Sequence, residues 1–272
     1  LKKLKNTNED KLAVLTFYPH PMKVLNPSGW KKNLIRFKTK YRLLSKIGID
    51  VLFQIPFNFS FSNLSANFFV ENILIKNLNT KNVIVGEDFR FGKNREGDVR
   101  LLKKYSGSGT FNFKCFKKKS NEENVYSSSI IRNLIKSGDI KKANSSLGYN
   151  WEVEGKVVKG RAKGRELGFP TANINYSYQI SPDNGIYAGW VKIEGEKEWR
   201  QAAISTGFRP HYDGETKILE VHILFFSANL YQKSIRVAFV KKIRDERKFD
   251  NEEKLILQMN QDCKTIQNIL NK

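Results

Sequence analysis

The sequence predicts an α/β unit followed by a mainly antiparallel β-barrel with a C-terminal helix. Three observations carry this. The first half alternates short apolar runs with amphipathic helical stretches, the pattern of a parallel sheet with crossovers. From Trp151 onward, β-rich runs follow one another with only Gly- and Asp-containing turns between them. The last twenty or so residues carry one apolar stripe at helical spacing.

Leu12–Phe17 is an apolar run that stops at Pro19-His20-Pro21, as a buried strand entering a loop does. Residues Lys31–Ile47 place Leu34, Phe37, Tyr41, Leu44 and Ile47 at helical spacing, with Gly48 as a stop. The expectation is an amphipathic helix. Asp50–Phe57 reads as a second strand, Ser65–Leu78 as a helix capped by Ser65, and Val83–Val85 as a third strand running into Gly86. In such a sheet ligands gather beyond the carboxyl ends of the strands, where Pro19-His20-Pro21 and Gly86–Gly92 fall. After a polar stretch come two short helices, Ser128–Lys136 and Ile140–Leu147, closed by Gly138 and Gly148.

The barrel strands are expected at Trp151–Val158, Ile186–Ile193, Trp199–Ser205, Ile218–Leu224 and Ile235–Val240. Asp250 is the expected cap of the final helix, whose stripe is Leu255, Met259, Cys263, Ile266 and Leu270. A chain of 272 residues suits two domains, which we divide at 1–147 and 148–272.

Composition narrows the function classes. No apolar run approaches the roughly 20 residues of a membrane span, and the charged start Leu1–Asp10 lacks the apolar segment of a signal peptide. A cytoplasmic location is expected, with no membrane partner. Cys115 and Cys263 stand in different halves without metal or redox spacing, so two unrelated reduced thiols are the simple reading. The net charge of +21 raises a rival from another class, a basic nucleic-acid-binding or regulatory protein. Its lysines are scattered, with only short clusters such as Lys117–Lys119, which favours a solvated surface that also attracts phosphorylated small molecules. No nucleic-acid partner is expected, and the oligomeric state is open.

The most informative stretch runs from Gly160 to Asn173: Gly160-Arg161-Ala162-Lys163-Gly164-Arg165-Glu166-Leu167-Gly168-Phe169-Pro170-Thr171-Ala172-Asn173. Glycines let backbone N–H groups approach phosphate oxygens, and Lys163 and Arg165 add charge. Thr171 and Asn173 put two oxygen-bearing side chains on one side of an extended segment, able to meet a phosphate-bound Mg²⁺. This stretch resembles the ATP and Mg²⁺ signature of riboflavin kinases, with Gly-Phe-Pro-Thr-Ala-Asn as its core. The resemblance implies ATP/Mg²⁺ contacts at Gly160, Lys163, Gly164, Arg165, Gly168, Pro170, Thr171 and Asn173, with Thr171 and Asn173 as the metal-binding pair.

It also implies a carboxylate on a later strand, and Leu219-Glu220-Val221-His222 supplies one. By the family's pattern Glu220 is the general base for the ribityl 5′-hydroxyl, projecting opposite to Leu219 and Val221, toward substrate in the barrel. An outward-facing surface glutamate would have the same sequence pattern. Asn184–Ala188, Gly207–Pro210 and Arg244–Phe249 resemble later blocks of the family, and Arg244, Arg247 and Phe249 become candidate flavin-side residues; a charged turn before a helix would look similar. The chain departs from the family at Phe225, Asn229 and Gln232, where acidic residues near a Leu-Tyr-Gly turn are usual.

The first half resembles the FMN adenylyltransferase (FAD synthetase) domain fused to such kinases in bacteria, a Rossmann-like nucleotidyltransferase. Thr16–Pro21, Val85–Gly92 and Ser127-Ser128-Ser129-Ile130-Ile131-Arg132 carry the likeness. It implies nucleotide or flavin contacts at Pro19, His20, Asp88, Phe89, Phe91, Gly92, Ser127, Ser128, Ser129 and Arg132. Each has a plainer reading: the serines as a helix cap, His20 as a loop residue, the phenylalanines as core. The family's His-x-Gly-His block, which stabilises charge on the departing pyrophosphate, is missing; His20, His211 and His222 are the chain's three histidines. Truncation at the N-terminus is the expectation, because a missing first strand would leave the sheet incomplete. The alternative is a kinase with a degenerate first domain. ATP, riboflavin and FMN are the implied substrates, and FMN and FAD the products.

Overall fold

A computed structural model describes residues 10–117, 126–160, 163–176, 178–208 and 217–271. The chain divides into two compact units. One runs up to Trp30 and resumes at Leu44–Tyr126; the other takes Lys31–Leu43 and everything from Ser127.

The first unit is α/β. Strand β1 (Ala13–Tyr18) leads through α1 (Pro21–Leu25) and α2 (Phe37–Lys46) to β2 (Val51–Pro56), which pairs with β1 in parallel from Ala13↔Val51 to Tyr18↔Pro56. A short α3 (Phe59–Ser62) and α4 (Ala66–Phe68) follow, and α4 continues as a π-helix over Phe69–Asn77. Ser65 caps this helix as expected, its Oγ accepting from the Phe68 N–H at 3.1 Å. Strand β3 (Asn82–Gly86), α5 (Val99–Gly107) and β4 (Asn112–Phe116) complete the unit, with β3 and β4 parallel. Among the described residues the strands form two separate parallel ladders. The core is Ala66, Phe69, Val70, Leu74, Val83, Phe91, Leu102 and Phe111.

The second unit opens with α6 (Ser128–Lys136) and α7 (Ile140–Leu147), the latter ended by Gly148 at φ 74°, a left-handed conformation that favours glycine. Then come β5 (Glu152–Val158), α8 (Lys163–Glu166), β6 (Ala172–Asn175), β7 (Gly185–Ile193), β8 (Arg200–Phe208), β9 (Lys217–Ile223), β10 (Ser234–Arg244) and α9 (Glu252–Leu270). The six strands close into an antiparallel barrel in the order β10-β5-β6-β9-β8-β7, which leaves no unpaired sheet edge. Trp151, Val153, Ile174, Tyr187, Val191, Ile204, Leu219, Val221, Val237 and Phe239 fill it, each fully buried. Alternation along each strand produces this: Leu219 and Val221 point in, Glu220 and His222 out. Helix α9 lies on the outside, its Ile266, Cys263, Ile269 and Leu270 packed with Ala188 and Leu224.

Two sequence expectations need correction. Asn251, not Asp250, caps α9: its Oδ1 accepts from the Lys254 N–H at 2.9 Å, while Asp250 takes the Lys254 ammonium at 2.6 Å. The helix expected at Lys31–Ile47 begins only at Phe37; of its apolar stripe, Phe37, Tyr41 and Ile47 are exposed by 42%, 53% and 53%, whereas Leu34 packs on the barrel core and Leu44 is partly buried. Thr39 is the buried residue instead.

The cause is ionic. Glu152 and Glu154 on β5 are buried, and a buried charge needs partners. Arg42 reaches Glu154 at 3.0 Å and Glu152 at 3.2 Å, Thr39 donates to Glu154, and Arg236 clasps Glu152 with two bonds of 2.9 and 2.8 Å. Upstream of α2, the Leu34 carbonyl accepts the indole N–H of Trp151 at 2.7 Å. Segment 31–43 is therefore a structural strap of the barrel unit.

Arg42→Met tests this strap. Breaking a buried pair costs about 3–5 kcal/mol, and partial exposure of Arg42 lowers its value to about 2–3 kcal/mol. Urea denaturation should report that loss; an unchanged midpoint would mean the pairs are screened by solvent.

Candidate functional site

The barrel register builds the site's floor. Strand β9 lies between β6 and β8, so Glu220 stands opposite Asn173 on one side and Ser205 on the other. Because Leu219 and Val221 fill the interior, Glu220 projects from the outer wall, which corrects the expectation that it points into the barrel. The cavity of about 670 Å³ there is roofed by the 164–171 loop, the segment after β10, and α9. It brings together seven of the residues singled out in the sequence: Gly164, Thr171, Asn173, Glu220, Arg244, Arg247 and Phe249.

The remaining loop residues shape the wall from behind. A side chain on Gly160 would collide with the Asn173 amide, and a Cβ on Gly164 would lie 2.5 Å from the Phe169 carbonyl oxygen. That close approach allows the Phe169 N–H to bond the Gly164 carbonyl at 2.7 Å, and Gly168 turns the chain with φ 85°. Arg165 and Pro170 do not line the cavity, and the Lys163 side chain lies outside the described atoms, as do Arg161 and Ala162.

Asn173 is 6% exposed, and its Oδ1 has no hydrogen-bond partner among the described residues. Such an orphan is rare, and it calls for an explanation such as an ion. Thr171 lines the same cavity two residues earlier on the same segment, so the pair offers oxygen donors of the kind a hard cation takes. These residues fit a magnesium ion carried in with a nucleotide.

At the other end Arg244 is already engaged. Its guanidinium bonds Asp262 at 3.0, 3.0 and 2.7 Å and lies 5.9 Å from the Phe249 ring centre. Arg244 thus ties the post-β10 segment to α9, and it acts on Phe249 as a support. Glu246 turns its carboxylate onto Gly207, filling the space a side chain there would need. Burial, and then the charge of Glu220, push its carboxyl above the usual range, against the pull of Arg244.

Sequence reasoning missed His222, Glu246 and Asp262, and the apolar wall of Leu255, Met259 and Cys263. Two signals were available. His222 is two residues from Glu220 and so shares its face. Asp262 is a carboxylate set three residues after Met259 and four before Ile266, on the apolar stripe of α9.

The residues assigned to the first half separate. In the first unit, His20 caps α1, its Nδ1 accepting from the Met22 N–H at 3.2 Å, with Pro19 beside it. Phe89 stacks on Phe91 at 5.3 Å, and Phe91 is buried in the core against Phe69. Gly92, at φ 75°, passes so close to Ala66 that a Cβ would lie 2.6 Å from its backbone nitrogen. Phe91 and Gly92 therefore have a packing part in the fold; Asp88 follows the end of β3. Ser127 caps α6 in the second unit, accepting from the Ile130 N–H at 3.3 Å, with Ser128 and Ser129 in the first turn. Arg132 donates to the Lys32 carbonyl at 3.2 Å. Among the described residues no helix is long and apolar enough to cross a membrane.

An α/β unit joined to a closed barrel with a largely apolar cavity on its outer wall is an architecture that the comparisons with known proteins assign to a two-domain transferase. A family model described as FAD synthetase matches residues 1–130, and one described as riboflavin kinase matches residues 147–270. The bifunctional riboflavin kinase/FMN adenylyltransferase of Buchnera aphidicola subsp. Schizaphis graminum (strain Sg) is 35% identical, over 100% of this chain and 88% of its own. That of Escherichia coli (strain K12) is also 35% identical, over 92% and 80%. A crystal structure named as a macrolide-efflux protein from Streptococcus pneumoniae superposes with a TM-score of 0.83 at 29% identity, over 95% of this chain and 84% of that one; this likeness bears on the fold. The chain belongs to the bifunctional riboflavin kinase/FMN adenylyltransferase family.

Proposed function

We propose that the barrel half transfers the γ-phosphoryl group of ATP to the ribityl 5′-hydroxyl of riboflavin, giving FMN and ADP. The observation that carries this is the orphan Asn173 oxygen set across the ladder from Glu220 in one cavity. Thr171 and Asn173 would hold the metal that accompanies ATP, and a magnesium ion there neutralises phosphate charge. Backbone N–H groups of the Gly160–Gly168 loop, with Lys163 and Arg165, would meet the phosphates. Glu220 takes the hydroxyl proton as the oxygen attacks; phosphoryl transfer otherwise asks mainly for positioning and charge neutralisation. Arg247 and Phe249, with Arg244 behind them, border the flavin side.

The α/β half is proposed to adenylylate FMN to FAD with release of pyrophosphate, drawing on Pro19, His20, Asp88 and Phe89, and on Ser127–Ser129 and Arg132 at the start of α6. We place the boundary between the two activities at residues 147 and 148, with segments 31–43 and 127–147 packed in the barrel unit.

The test is incubation of the 272-residue chain with riboflavin, ATP and Mg²⁺, followed by chromatographic separation of the flavins. FMN is the expected product. FAD should form poorly, because this sequence contains no His-x-Gly-His, and each lost charge-stabilising donor costs about 10²–10³ in rate. Folded protein that makes no FMN, and instead binds RNA with a steep salt dependence, would overturn the kinase reading in favour of a polyanion-binding one.

A further inference from the structure

One cavity residue has no part in the chemistry above. His222 follows Glu220 by two residues on β9, so both project from the outer wall. Its Nδ1 lies 3.0 Å from the Pro170 carbonyl oxygen, and its ring meets that of Phe169 edge-on at 5.4 Å and 67°. A carbonyl can only accept, so Nδ1 carries the proton in this bond. The ladder between β6 and β9 has its outermost pair at Ala172↔Val221. Pro170 and Thr171 lie just past it, where backbone pairing no longer fixes them to β9. The imidazole spans that gap.

We infer that His222 is a positioning residue for the nucleotide clamp: by donating to Pro170 it fixes Thr171, which lies just past the ladder, relative to Asn173 and Glu220, which the ladder already pairs. The physical demand is strict, since misplacement of reacting groups by about 1 Å can cost about 10²-fold in rate. The inference rests on the proposed reading in which Thr171 and Asn173 serve Mg–ATP, and it adds the device that holds Thr171 in register with Asn173 and the base.

Three variants test it by steady-state kinetics with both substrates varied. His222→Ala should raise the KM for Mg–ATP about tenfold, the loss of one hydrogen bond and its packing, with the riboflavin KM within about twofold. His222→Asn puts an amide N–H near the Nδ1 position and should return the Mg–ATP KM to within about threefold of the parent. His222→Gln, whose amide reaches toward the Nε2 position, should not. A normal Mg–ATP KM in His222→Ala, equal defects in the Asn and Gln variants, or a defect confined to riboflavin would each overturn the inference. If His222→Ala does not fold, the contrast between Asn and Gln decides. Asn173→Ala in the same assay separates the layers. Unaltered Mg–ATP use in Asn173→Ala sinks the clamp reading itself, whereas a defect there beside a normal His222→Ala sinks only the role of His222.

Discussion

Glu220→Gln is expected to lower the rate of FMN formation by about 10²-fold or more, with the apparent KM for ATP within about threefold of the parent. The amide keeps the volume and the strand position between Asn173 and Ser205, and it removes the lone pair that receives the hydroxyl proton. A second carboxylate stands close enough for the charge of Glu220 to raise its proton affinity: Glu246, on the segment after β10. Glu246 makes the experiment discriminating. Its carboxyl rests on the backbone of Gly207, a placement set by the packing of one wall on another. Glu220 is the ladder partner of Asn173, whose side-chain oxygen has no protein partner among the described residues. Glu246→Gln should therefore cost less than Glu220→Gln. The reverse ranking would move the base to Glu246, and full activity in Glu220→Gln would remove the general-base assignment.

What the sequence disclosed followed the range of the forces involved. Most strands of the barrel were legible because alternation is local, Leu219 and Val221 in and Glu220 and His222 out, but β6, four residues long, was read only as an extended segment of the Gly160–Asn173 motif. Helices α6 and α7 were legible from their glycine stops. Helix α2 was legible as a helix but not in which residues it buries: Thr39 and Arg42 bond Glu152 and Glu154, more than a hundred residues further on, while Phe37, Tyr41 and Ile47 stay exposed. Helix α5 and strand β4 went unrecognised; only Leu102 within them is fully buried, so neither carries a strong apolar pattern. The candidate site divided in the same way. Thr171 and Asn173 sit in one contiguous motif, while Glu246 and Asp262 reach the cavity from other elements and gain meaning only from what they touch. Arg244 had the right location, and its partner Asp262 was invisible until α9 was folded back onto the barrel.

Asn173→Ala should separate function from stability more sharply than any other change in this chain. The side-chain oxygen that it removes has no protein partner among the described residues, so folding loses no hydrogen bond at that atom. The amide nitrogen lies against Gly160, and truncation leaves a small gap there, so the melting temperature should fall by no more than about 2–4 °C. Activity should respond otherwise. If Oδ1 is a ligand for the metal that accompanies ATP, its loss should raise the Mg²⁺ requirement and the KM for Mg–ATP by about ten- to a hundredfold. Thr171→Ala should act in the same direction, and Thr171→Ser should restore most of the loss by returning the hydroxyl. Asn173→Asp, which keeps an oxygen at the same place, should fall between the parent and the alanine variant. Riboflavin binding, measured by quenching of flavin fluorescence without ATP, should stay within about twofold in all four, because the flavin side that we propose is the part of the cavity lined by Arg247, Phe249 and α9. Loss of riboflavin affinity with normal Mg–ATP use in Asn173→Ala would mean that the two substrates occupy the opposite ends of the cavity.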